Sequence, residues 1–143
     1  MKNFYLDRST YNFVQRELYR YEAYKKELIL CREEILEGSP LPPDGQPKGN
    51  QAGNPTEQKA LKLVSGVRII NLERTITAIS NTLSMIDDKG REVFREIYIK
   101  GRHDNEKICM DLCISYTGFK DRKHQIIYLT ADNLGLIVTD ARD

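Results

Sequence analysis

The chain has 143 residues, 40% of them apolar and 30% charged, and its 22 basic and 21 acidic side chains leave a net charge of +1. No run of about 18 apolar residues occurs, which argues against a membrane span or a membrane partner. The start, Met1-Lys2-Asn3-Phe4-Tyr5-Leu6-Asp7, lacks the apolar core of a secretion signal, so a cytoplasmic protein is expected. A near-neutral balance gives no whole-chain argument for nucleic acid, and any such case rests on how charge is distributed locally.

The first periodic segment starts after Ser9 or Thr10, either of which can cap a helix. Val14, Leu18, Tyr21, Tyr24, Leu28, Cys31 and Ile35 recur at steps of three and four and form one apolar stripe. Arg16, Glu17, Arg20, Glu22, Lys25, Lys26, Glu27, Arg32, Glu33 and Glu34 fill the other positions, with Glu22 and Lys26 in the favourable i,i+4 order. Tyr21 and Tyr24 lie on the stripe and are expected to pack, whereas Tyr11 and Tyr19 read as freer. Gly38 and Pro40 end the helix.

Residues 38–54, GSPLPPDGQPKGNQAGN, contain four glycines and four prolines, a density that neither helix nor strand survives. The segment reads as a linker. A second long helix is signalled directly after it. Asn54 suits the N-cap, Pro55 the first turn and Glu57 the third helical position. Ile69, Leu72, Ile76, Ile79, Leu83 and Ile86 then form a stripe, extended upstream by Leu61, Val64 and Val67. Two such stripes can bury each other as a hairpin or pair between subunits.

Three shorter helices follow. Asp87 or Asp88 can cap the first, over about Lys89 to Lys100, with Val93, Phe94, Ile97 and Tyr98 inward and Gly101 as its stop. Asp104 is expected to cap the second, which holds Ile108, Cys109 and Leu112. Ser115 is expected to cap the third, which runs to about Asn133 with Phe119, Ile126 and Leu129 or Thr130 inward, and Gly135 beyond its end. Between the last two helices lies Cys113-Ile114-Ser115, a turn with an apolar plug. A short helix, a tight turn and a capped second helix make up a helix-turn-helix. The second helix opens Tyr116-Thr117-Gly118-Phe119-Lys120-Asp121-Arg122-Lys123-His124, in which Lys120, Arg122 and Lys123 outnumber Asp121. Thr117, Lys120, Asp121 and His124 share adjacent outward faces suited to base edges. The helix start capped by Ser115 and the Tyr116 hydroxyl suit phosphate, Arg122 and Lys123 add positive charge to the DNA-binding set, and Arg102 and Lys107 flank the shorter helix where they could hold the backbone.

Most of the chain resembles the RinA-type phage transcriptional activators, related in plan to the ArpU-type phage regulators. The resemblance is carried by RSTYNFVQRELYRYEAYKKELILCREEILEGSP, by NPTEQKALKL after the linker, and by REVFREIYIKGRHDNEKICMDLCISYTGFKDRKHQIIYLTADNLGLI. It implies a helix-turn-helix like that of sigma-factor region 4, and activation of late phage genes for packaging and head assembly. Two positions depart from the family's pattern. Gly118 stands where a helix-favouring or β-branched residue is usual, and Arg122 where an aromatic is common. Gly118 is expected to loosen the first turn, and Arg122 to lie along the adjacent helix by its stem.

Other chemistries fit less well. Cys31, Cys109 and Cys113 read as reduced thiols. Cys109 and Cys113 near His103 and His124 match no zinc-site spacing, and no nucleophile, phosphate loop or cofactor motif is present. The sequence therefore predicts an all-α protein that is not an enzyme and carries neither metal nor cofactor. A helical hairpin over 1–86 would serve oligomerisation or partner binding, and a helix-turn-helix domain over 87–143 would bind double-stranded DNA. Host RNA polymerase and a second copy of the chain, paired through the long helices, are the further partners expected. The alternatives are a small terminase-like packaging subunit and an interaction module that does not bind DNA.

Overall fold

The computed structural model describes residues 6–37 and 55–138. The expected linker at 38–54 and the Asn54 cap lie outside the described residues. All regular structure among the described residues is helical. The elements are α1 (Arg8–Tyr19), α2 (Tyr21–Glu37), α3 (Pro55–Met85), α4 (Asp88–Phe94), α5 (Asn105–Leu112) and α6 (Tyr116–Asn133). Helix α4 runs directly into a π-helical turn, Arg95–Ile99. No helix among the described residues is long and apolar enough to cross a membrane.

The single helix expected before the linker is two. At Arg20 the backbone N–H donates to Glu17 O at 3.1 Å, a tightened step that separates α1 from α2. The N-cap position is Asp7, not Ser9 or Thr10, and the Ser9 hydroxyl donates to the Asp7 carboxylate at 2.7 Å. Glu22 pairs with Lys25 at 2.9 Å, one residue short of the expected Lys26. Helix α3 begins at Pro55, whose missing N–H costs nothing in a first turn. Its 31 residues span about 46 Å.

The apolar stripes explain the packing only in part. Val14, Leu18, Tyr21 and Leu28 are buried from the first, and Leu72, Ile79 and Ile86 from the second. Helix α2 packs along α3, where Arg32 reaches Glu73 at 2.5 Å and Arg68 pairs with Glu27. Further from the core the seam opens. Ile35, expected inward, is 48% exposed, and Ile29, Leu30, Leu36, Val64, Val67 and Ile70 are exposed beside it.

One buried cluster joins Val14 and Leu18 of α1, Tyr21 of α2, Ile79 of α3 and Ile86 just beyond it to Val93, Phe94, Ile108, Phe119 and Ile126. The expected domain boundary at 86/87 falls between α3 and α4, and this core runs across it. Helix α6 packs against α1, α3 and α4. Its far half is tied to α3 by polar groups. Thr82 donates to Ala78 O at 3.0 Å and accepts from Asn133 Nδ2 at 3.0 Å, and the Thr130 hydroxyl lies 3.1 Å from that of Thr82. Buried hydroxyls need such partners, so the network favours one register of α6 on α3.

The π turn lets α4 continue inward. Lys100 N–H donates to Arg95 O, five residues back, at 2.9 Å. Val93, Phe94, Ile97 and Tyr98 are all buried, as their spacing predicts. Gly101 then takes φ +70°, a left-handed conformation open to glycine, and the chain turns toward α5.

Candidate nucleic-acid interface

The site is built from α5, the turn after it and the first half of α6. Ile108, Cys109 and Leu112 bury one face of α5. At its end Cys113 adopts the left-handed conformation, φ 55° and ψ 46°. Its N–H donates to Met110 O at 3.2 Å, and that of Ile114 to Cys109 O at 3.0 Å, which satisfies carbonyls the helix leaves free. Lys89 of α4 donates to Leu112 O at 2.9 Å, placing a cation at the negative end of α5. Ile114 is half-buried against the core. Ser115 returns to extended backbone, and its Oγ accepts from Gly118 N–H at 3.0 Å, the cap expected of it.

Helix α6 buries Phe119, Ile126, Ile127, Thr130 and Ala131. Thr117, Lys120, Asp121, His124 and Gln125 are exposed on the opposite side. Tyr116 is 52% exposed and stacks on Phe119, with ring centroids 6.4 Å apart. The Lys120 ammonium sits 5.3 Å from the centre of the Tyr116 ring, close enough for a cation–π attraction that directs the side chain along the helix N-terminus. Ser115, Tyr116, Thr117, Lys120, Asp121 and His124 therefore form one continuous exposed strip.

Three of the expected contacts are differently employed. Arg102 does not flank α5 as a free cation. Its guanidinium meets Glu96 at 3.0 Å, Asp111 at 2.9 Å and Asp104 at 3.3 Å, and these carboxylates raise its pKa further. Three carboxylates around one cation leave no net attraction for phosphate. Asp104 occupies the N-cap position of α5 but makes no capping bond, because its carboxylate is turned to Arg102. Arg122 is withdrawn to Asp87 and lies over Gly118. Lys123 is half-buried, and desolvation holds its pKa below the usual lysine value. Lys107 is exposed on α5.

Two tyrosines have ring partners that were not visible in the sequence. Tyr11 of α1, expected to be free, packs its ring against His124 with centroids 5.8 Å apart. Tyr19 likewise packs edge-on against Tyr98 at 4.8 Å. Their partners lie far along the chain, so nothing near them in the sequence shows these contacts. An open cleft beside Tyr116 is lined by Asp104, Asn105, Glu106 and Cys109. Its two carboxylates disfavour a polyanion in that cleft. Cys109 is buried and Cys113 exposed.

The fold and this strip define a class: an all-helical protein that presents the capped start of one helix, with hydroxyl, ammonium, carboxylate and imidazole groups in a row. No family model, curated protein or solved structure matches the chain.

Proposed function

We propose that the chain binds double-stranded DNA through α5 and α6 as a helix-turn-helix, with α6 lying in the major groove. The observation that carries this reading is the division of α6 into a buried face and an exposed polar strip that begins at a capped N-terminus. Free N–H groups and the positive end of the helix suit phosphate. Thr117, Lys120, Asp121 and His124 offer a thymine contact, a guanine donor, a cytosine acceptor and a further polar group. Taken with the resemblance to RinA-type activators, this supports reading the protein as a transcription activator of late phage genes.

Helices α2 and α3 form the hairpin of this proposal. The exposed Ile29, Leu30, Leu36, Val64 and Val67 at its outer end suit a second copy or RNA polymerase. The same surplus of apolar surface favours one rival, a packaging subunit that assembles into rings. Light scattering separates them: a monomer or dimer fits the activator, and a larger ring fits packaging.

The direct test is Lys120→Ala together with Thr117→Ala. Both side chains are exposed, so the helical circular dichroism should be unchanged. The affinity for a duplex selected by the wild-type protein should fall by about 10-fold or more, and wild-type binding should weaken as salt rises. Equal affinity for variant and wild type would remove this strip from the interface.

A further inference from the structure

Arg122 lies in the segment that supplies the exposed strip, yet it faces away from it. Its Nη2 meets Asp87 Oδ2 at 3.2 Å, its Nη1 donates to Gly118 O at 3.3 Å, and its Nε is buried with no partner among the described residues. Asp87 is also the N-cap of α4, and its Oδ1 accepts from Gly90 N–H at 2.7 Å. One carboxylate thus serves two helices, with one oxygen closing the start of α4 and the other holding the start of α6. A Cβ at Gly118 would lie 3.1 Å from Arg122 Nη1 and 3.1 Å from Ser115 Oγ. A side chain there would press the guanidinium or the capping hydroxyl aside by a few tenths of an ångström.

We propose that Gly118, Arg122 and Asp87 form a lock that sets the angle of α6 on α4, which makes Arg122 a positioning residue and not a phosphate contact. Its consequence for binding rests on the DNA-binding reading above. The far half of α6 is held by Thr82 and Asn133. The lock is the corresponding tie at the near half, directly under Thr117 and Lys120. A tilt there displaces every side-chain tip on the strip, and hydrogen bonds to base edges weaken steeply with misalignment.

Asp87→Asn separates this idea from simple electrostatics. Asparagine keeps an oxygen for the α4 cap but removes the charge that holds Arg122. If Asp87 only repels DNA, the substitution tightens binding. If it anchors the lock, binding weakens. For a duplex selected by the wild-type protein from a random pool, Asp87→Asn and Arg122→Ala should each raise Kd by roughly 3- to 10-fold. The double variant should be no worse than the weaker single, and the dependence of log K on log salt should be unchanged. A salt slope reduced by about one phosphate in Arg122→Ala, with Asp87→Asn neutral or tighter, would make Arg122 a backbone contact and overturn the lock. If the wild-type chain selects no duplex, it is the DNA-binding reading that fails. Thermal unfolding of the free protein still judges the lock. The shifts of Asp87→Asn and Arg122→Ala must then be non-additive, and Gly118→Ala must cost less beside Arg122→Ala than alone. Additive shifts would dismiss it.

Discussion

Cys113 shows how much the turn asks of a single residue. It is the only non-glycine with positive φ among the described residues, and it sits at the joint between α5 and α6. A side chain in the left-handed region costs roughly 1–2 kcal/mol, whereas glycine enters it freely. Cys113 is exposed, so no packing is lost on removing its thiol. Cys113→Gly should therefore stabilise the protein by about 1 kcal/mol in denaturant titrations. A loss of stability would mean that the joint gains from the cysteine side chain. At the same scale, Arg102, Arg122 and Lys123 show why a basic residue type is a poor guide to a phosphate contact. Each has its charge met, or its surroundings dried, by residues of other elements.

Among elements, the junction of the π turn with α5 is held by charge. Glu96 accepts from Lys100 at 2.9 Å and from Arg102 at 3.0 Å, and these cations hold its carboxyl below the usual range, with Lys100 the larger influence. Asp87 is lowered as well, first by the Gly90 N–H and further by Arg122. A carboxyl whose pKa is lower when folded contributes stability above its unfolded pKa, and loses it as pH falls through the folded one. The thermal midpoint should therefore decline below about pH 4. Glu96→Gln should flatten that decline while lowering the midpoint at neutral pH. An identical pH profile in the variant would show that these ion pairs add nothing to stability. The caps at Asp87 and Ser115 are neighbours of the residues they serve, so the helices they open are set locally.

For the whole molecule the decisive fact is that α6 is packed by α1 and α3 as well as by α4. Ile127 and Ala131 are fully buried, and Thr130 is matched by Thr82 of α3. Cutting the chain at the boundary its sequence suggests would strip these partners away. A fragment of residues 87–143 should then show weak helical signal and no cooperative thermal transition, whereas the full chain melts cooperatively. A sharp melt of the fragment would show that its three helices hold a core of their own. This packing also bears on function, because α1 stands beside the exposed strip through Tyr11 and His124. Any movement of α1 is then felt at the proposed reading helix.

The number of helices after the linker, their starts at Asp87 and Ser115, the stops at Gly101 and Gly135 and the inward faces of α4, α5 and α6 were legible in the sequence. Capping, glycine conformation and apolar periodicity act within a few residues, so adjacent letters carry them. The break at Arg20 and the π turn were not legible, since neither follows from a breaker residue. Only the tertiary structure decided that α1 lies against α6, that Arg102 is enclosed by three carboxylates and that Arg122 turns to Asp87. Each of these depends on groups that meet only after the chain has closed, and the contact of Tyr11 with His124 joins nearly its two ends.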